Sequence, residues 1–201
     1  MRTSLRRLSA APESLSSWQS PPPVSDGELF ARLRSGDTQG LELALRQHWS
    51  LVVDYIARLT RSEDAAEDIA QRSFCQLWDR RDQWHSTGSM RALLCRIARN
   101  YAVSEHRREC ADERTAATFA ELSAPVTPLR DALESEHLRS ALDREISLLP
   151  ARRREILVLR CVHDLSYKEI AEVMGIAPQT VANQLSSALS TLRGSLRELL
   201  D

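Results

Sequence analysis

Apolar residues in this chain recur every three or four positions, and no stretch alternates with period two. That pattern buries one face of a helix and leaves nothing for a pleated sheet, so the fold class it predicts is all-α. From Leu29 to Leu59 the stripe runs through Leu33, Leu41, Leu45, Val52 and Ile56. It is interrupted at Gly36 and Gly40, which predicts a helix-loop-helix broken at those glycines. Ser25, three residues before Glu28, has the spacing of a capping box that would open the first helix. A third helix is expected from about Ser62 to Arg80, with Ala66, Ile69, Ala70, Ser73, Phe74, Leu77 and Trp78 on its inner face. A loop over 81–89 and a fourth helix from about Met90 to Glu109, packing Leu94, Ile97, Ala98 and Tyr101, complete this half.

The periodicity lapses after residue 110 and resumes near Leu129, with Pro125 and Pro128 between. The expected organisation is two small helical domains joined by a flexible linker: 25–110, a linker at 111–129, and 130–201. Residues 1–24, with Pro12, Pro21, Pro22 and Pro23 among many serines, are expected to form a disordered tail. The tail starts with arginines, as a signal peptide does, but lacks the apolar core that export needs. No apolar run approaches the roughly 20 residues of a membrane span. A cytoplasmic protein with no membrane partner is therefore expected.

Net charge is −1 over 201 residues, which by itself speaks against bulk nucleic-acid binding. Its distribution is more telling. From Glu63 to Asp79 five acids face one base, a net of −4, whereas from Arg91 to Arg108 five arginines face one acid, a net of +4. Such a chain either meets two oppositely charged partners or pairs its helices internally. Cys75, Cys95, Cys110 and Cys161 show no C-x-x-C pair and no ligand spacing with histidine, so neither a disulfide nor a metal is expected. Gly-rich phosphate loops and nucleophile motifs are missing too, and neither an enzyme nor a cofactor is predicted.

The sharper motif lies in the second half. Pro150 separates two helices, and Ala151 to His163 is the second of them. Ser166 and Glu169 form another capping box, Gly175 closes a short helix, and Pro178 opens the last one. Ala171, Gly175, Val181 and Leu185 have helix-turn-helix spacing: a small residue at the crossing, glycine at the turn, apolar anchors on the second helix. Gln179, Thr180, Asn183, Gln184 and Ser187 then fall on the outer face, with side chains suited to base edges in a major groove. From Ala177 to Leu192 there is no lysine or arginine, so phosphate attraction must come from elsewhere, with Arg152, Arg153, Arg154, Lys168 and Arg193 the candidates. Alone, this domain is expected to hold DNA weakly.

The segments Leu149 to Arg160 (LPARRREILVLR) and Leu165 to Val181 (LSYKEIAEVMGIAPQTV) resemble the C-terminal region of extracytoplasmic-function sigma factors. Ala65 to Gln71 (AAEDIAQ), with Phe74, Leu77 and Trp78, is similar to their polymerase-binding helix, and Gly88 to Ala102 to their promoter-melting segment. The resemblance spans about 26–110 and 138–198. It implies that Glu67, Asp68, Gln71 and Arg72 meet the beta-prime clamp of core RNA polymerase, with the beta flap as a further contact. It implies that Arg96, Arg99, Asn100 and Arg107 meet the minus-ten element and that the loop with Trp84 and His85 captures an unstacked base, unless Trp84 instead closes the core. The second domain would read the minus-thirty-five element. Promoter DNA and core polymerase are the implied partners, with an anti-sigma factor as a third. Four positions depart from the family pattern: Arg72 stands for an acid, Leu93 for a tryptophan, Ser104-Glu105 for Asp-Tyr, and Ala177 for a capping serine. The competing readings are a two-component-type regulator, which requires an α/β receiver domain, and a helical adaptor that binds protein alone.

Overall fold

The computed structural model describes residues 24–84, 88–112 and 136–200. Every regular element among them is helical: α1 (Asp26–Arg34), α2 (Thr38–Thr60), α3 (Glu63–Asp79), a 3-10 turn (Arg81–Gln83), α4 (Met90–Asp112), α5 (Glu136–Leu148), α6 (Ala151–Cys161), α7 (Tyr167–Met174) and α8 (Pro178–Leu200). Most of the expected linker and the N-terminal tail fall outside the described residues.

Helix boundaries follow the local chemistry. Ser62 caps α3 by accepting from the Ala65 amide at 3.2 Å, and Glu63 and Asp64 sit in the first turn, where the helix dipole favours acids. At Ser166 the capping box is complete, each side chain bonding the other residue's amide. At Ser25 only half of the expected box forms. Its hydroxyl accepts from the Glu28 amide, while the Glu28 carboxylate turns outward to Arg32 at 2.6 Å. Gly36 (φ 74°) and Gly175 (φ 65°) end their helices in the left-handed region that glycine enters freely.

Gly40 does not break the chain, contrary to expectation. It lies inside the first turns of α2, buried, where α1 passes over it. A Cβ there would stand 2.7 Å from the Arg32 Cβ and 3.2 Å from the Arg32 carbonyl carbon. The glycine marks a close helix contact rather than a loop. Gly40→Ala gains helix propensity but overpacks this contact, and we expect a net loss of about 1–2 kcal/mol. Thermal unfolding followed by circular dichroism checks this; an unchanged or raised Tm would contradict the tight approach.

The first bundle packs α1, α2, α3 and α4 around Leu29, Leu33, Val52, Ile56, Ile69, Leu77 and Leu94, all fully buried or nearly so. The second gathers α5 to α8 around Ile156, Leu159, Leu165, Ile170, Val181 and Leu185. The two bundles do not stand apart. Helix α4 lies along α7, α2 touches α6, and one buried apolar cluster runs through both halves.

Candidate nucleic-acid interface

The helix-turn-helix is built from α7 and α8. Ala171, 6% exposed, lets the helices approach, and Val181 and Leu185 seat α8 in the core. The turn is closed by the Ile176 amide donating to the Ala171 carbonyl at 3.0 Å. Gln179, Thr180 and Asn183 are thereby exposed, with Gln184 and Ser187 half-buried beside them. Gln179 donates to the Asn183 side-chain oxygen at 3.1 Å, and Arg153 on α6 donates to Gln184 at 3.2 Å. One candidate phosphate contact thus touches one candidate base reader. Lys168 is exposed on α7. Ala177 offers no side-chain acceptor, and only its carbonyl serves the first turn of α8, accepting from Thr180 and Val181.

Arg154, next to Arg153 and expected with it as a candidate phosphate contact, is instead turned inward and held by backbone carbonyls. The residue is 6% exposed, and its guanidinium donates to the carbonyls of Ile146, Ser147 and Leu149 at 3.0, 2.6 and 2.6 Å. It closes the end of α5 and fixes the elbow into α6.

In the first bundle Glu67, Asp68, Gln71 and Arg72 all lie on the exposed side of α3. Glu67 and Asp68 form no ion pair among the described residues, whereas Arg72 is committed to α4: it pairs with Glu105 and stacks over the Tyr101 ring at 4.3 Å. Two departures from the family pattern, a base for an acid at Arg72 and an acid at Glu105, therefore meet each other across α3 and α4. Trp84 is half-buried against the core, its indole N–H donating to the Leu77 carbonyl at 3.0 Å. His85 lies outside the described residues.

On α4, Asn100 and Arg107 are exposed. Arg91, Arg96 and Arg99 are already occupied, by glutamates of the second bundle. Arg91 binds Glu169 through two hydrogen bonds of 2.6 and 2.9 Å. Arg99 binds Glu155 through two of 2.8 and 3.2 Å, and the Tyr55 hydroxyl donates to the same carboxylate at 2.6 Å. Arg96 stands 3.6 Å from Glu172. These contacts leave their mark on protonation. Burial alone would raise the Glu169 carboxyl, but hydrogen bonds from Arg91, Ser89 and Ser166 outweigh it and hold the pKa down to about 2. Burial and the Glu155 carboxylate push the Tyr55 hydroxyl well above its ordinary range. Glu155, Glu169 and Glu172 are the residues sequence reasoning missed. Their only hint was a +4 helix inside a chain of net charge −1.

Two family models match the chain: Sigma-70 region 2 over residues 44–110 and Sigma-70 region 4 over residues 139–192. The "ECF RNA polymerase sigma-E factor" of Escherichia coli (strain K12) is 26% identical over 190 residues, covering 88% of this chain and 97% of that protein. The chain belongs to the extracytoplasmic-function RNA polymerase sigma factors. A "Probable RNA polymerase sigma factor RfaY" of Xanthomonas campestris pv. campestris is 32% identical over 148 residues, 71% of this chain but 37% of that longer protein. Among solved structures, CnrH in complex with the cytosolic domain of CnrY superposes with a TM-score of 0.61 at 20% identity, covering 86% of this chain and 97% of CnrH. The sigma factor RpoE from Bartonella quintana, in complex with the anti-sigma factor NepR, gives 0.59 at 24%, covering 81% and 98%. These two establish the likeness of fold.

In this sigma factor region 2 contains most of α2, all of α3 and most of α4, while region 4 contains the helix-turn-helix. Sigma factors are transcription initiation factors that direct promoter-specific transcription. No helix among the described residues is long and apolar enough to cross a membrane, and no cluster of potential metal ligands occurs there.

Proposed function

We propose that this sigma factor joins core RNA polymerase through the exposed face of α3 and recognises its promoter at two places. Glu67, Asp68 and Gln71 meet the beta-prime clamp, with Arg72 holding α3 to α4 behind them, and the second bundle meets the beta flap. Arg96, Arg99, Asn100 and Arg107 on α4 engage the minus-ten element as its strands part, and Trp84 lines the cleft beside them. Gln179, Thr180, Asn183, Gln184 and Ser187 read the minus-thirty-five element, with Arg153 and Lys168 on phosphates. The observation that carries this reading is the ordered pair of sigma regions in one chain, with a helix-turn-helix whose outer face is uncharged amide and hydroxyl. Amide side chains specify bases but attract DNA poorly, which is why polymerase must hold the second bundle in place. An anti-sigma protein is a further partner, by likeness to the sigma factor RpoE solved with the anti-sigma factor NepR.

Run-off transcription from a genomic pool with purified core polymerase tests the reading; no promoter-dependent product from any template would overturn it. Asn183→Ala removes one base contact, worth about 1–3 kcal/mol of discrimination. On the promoter so found, its transcript is expected to fall at least fivefold while the amount of sigma factor bound to core is unchanged.

A further inference from the structure

We infer that the free sigma factor holds itself closed, with three region 4 glutamates occupying the α4 arginines that promoter DNA would otherwise engage. This rests on the assignment of α4 to the minus-ten element.

The contact is built on charge. Glu155, Glu169 and Glu172 come from two helices of the second bundle and meet Arg99, Arg91 and Arg96, which follow one another along α4. A carboxylate gripped by both sides of a guanidinium fork copies the geometry of a phosphate, the other anion that arginine takes in this way. Glu172 also lies at a cleft of about 290 Å³ lined by Phe30, Trp84, Leu93 and Arg96. Its carboxylate would stand 3.7 Å from a Cβ placed on Gly88. The cleft and the arginines that flank it are thus covered together by region 4.

The balance of forces makes such a contact reversible. The Glu155 and Arg99 side chains are 7% and 17% exposed, and both must surrender water to meet. Burying a charge pair recovers little more than it costs in desolvation, so the closed form is held by a small margin. Two of the three pairs are partly open to solvent and weaken as salt screens them. A phosphate backbone brings several anions to the same arginines at once and releases counterions, an advantage three isolated carboxylates lack. Capture of region 4 by polymerase works in the same direction, by removing the glutamates from reach. Glu169 has a second duty, as the residue that completes the capping box of α7. Opening therefore frees a carboxylate that keeps its place in the helix-turn-helix.

The test uses the full chain with Glu155→Gln, Glu169→Gln and Glu172→Gln combined. Glutamine preserves size, and it also serves at the third position of a capping box, so the fold is retained; circular dichroism checks that helicity is unchanged. Small-angle scattering at low salt is expected to give a radius of gyration about 3 Å or more above that of the parent, against the roughly 16 Å of a fully compact chain of this length. The parent should expand toward the variant as salt rises to 0.5 M, and the variant should change little. Fluorescence anisotropy with a random 20-nucleotide single-stranded DNA is expected to show at least tenfold tighter binding by the variant. A control of equal charge, Glu63→Gln with Asp64→Asn and Asp82→Asn, should gain less than threefold. Equal size and equal affinity for parent and variant would overturn the closed state. Expansion without a gain beyond the control would overturn the competition with DNA. Run-off transcription by the same variant separates the two levels: a variant that still initiates leaves the sigma-factor assignment standing whatever the other results.

Discussion

Replacing Glu67 and Asp68 together by arginine is expected to reduce promoter-dependent transcription about 100-fold and to abolish copurification with core polymerase. Both carboxylates are exposed on α3, and neither forms an ion pair among the described residues. Their charges are not needed to start the helix, because Ser62, Glu63 and Asp64 already satisfy its N-terminus. Folding should hardly notice the change: surface substitutions of this kind stay within about 0.5 kcal/mol. A basic partner surface would notice, since like charges set against each other cost several kcal/mol and about 2.8 kcal/mol is already 100-fold. The discriminating pair of measurements is core binding on an affinity column and thermal unfolding. Normal binding by a folded double variant would remove α3 as the polymerase contact. Loss of binding with a collapsed Tm would mean that the acids support the bundle instead.

How far such a chain can be read without its structure depends on the range of the interaction. Helices were legible because their cause is local: a stripe every three or four residues, Ser62 and Ser166 at the caps, Gly36 and Gly175 at the stops. The helix-turn-helix was legible for the same reason, as Ala171, Gly175, Val181 and Leu185 fall within fifteen consecutive residues. Gly40 was misread because local rules treat glycine as a breaker. Its real cause is the backbone of α1 passing 3.2 Å from where a Cβ would stand, which no local pattern records. The Ser25 box was half right because Glu28 had two possible partners, and the arginine four residues on competed successfully. Of the contact between bundles, only the need for a counter-charge was legible, not the residues that supply it. Arg99 and Glu155 are 56 residues apart and Arg91 and Glu169 are 78 apart, and each looks in isolation like an ordinary charged surface residue. Charge imbalance along the chain announced that α4 needed anions, and left open whether they came from a partner or from the chain itself. Arg72 and Glu105 show the same limit on a smaller scale. Taken singly each is a departure from the family pattern; only their meeting across α3 and α4 turns them into one exchange.

Leu159→Ala is expected to unfold the second bundle at physiological temperature or close to it, while leaving the first bundle in place. Leu159 is fully buried in the last turn of α6, which packs on both α7 and α8. Truncating a leucine at such a site costs about 2–5 kcal/mol, from lost burial and from the cavity left behind. The described residues of this bundle, 136–200, are few enough that at about 0.05–0.15 kcal/mol per residue its whole stability is only about 3–10 kcal/mol. The substitution therefore removes about a fifth of the margin at the least and all of it at the most. The four tryptophans make the loss easy to localise, because Trp18, Trp49, Trp78 and Trp84 all precede residue 110. Tryptophan fluorescence is dominated by Trp49 and Trp78 of the first bundle and by Trp84 at its edge, whereas far-ultraviolet circular dichroism reports both bundles. In the variant the dichroism midpoint for the second bundle should fall by about 10 °C or more, with the fluorescence midpoint moving much less. Leu159→Met, which nearly conserves volume, should cost under about 1.5 kcal/mol and serves as the control. Coincident and unshifted transitions would show that α6 is not the centre of that core. Separated transitions, with core polymerase still bound and promoter discrimination lost, would show that the two regions fold as distinct units, so that the charged contact between them joins parts able to come apart.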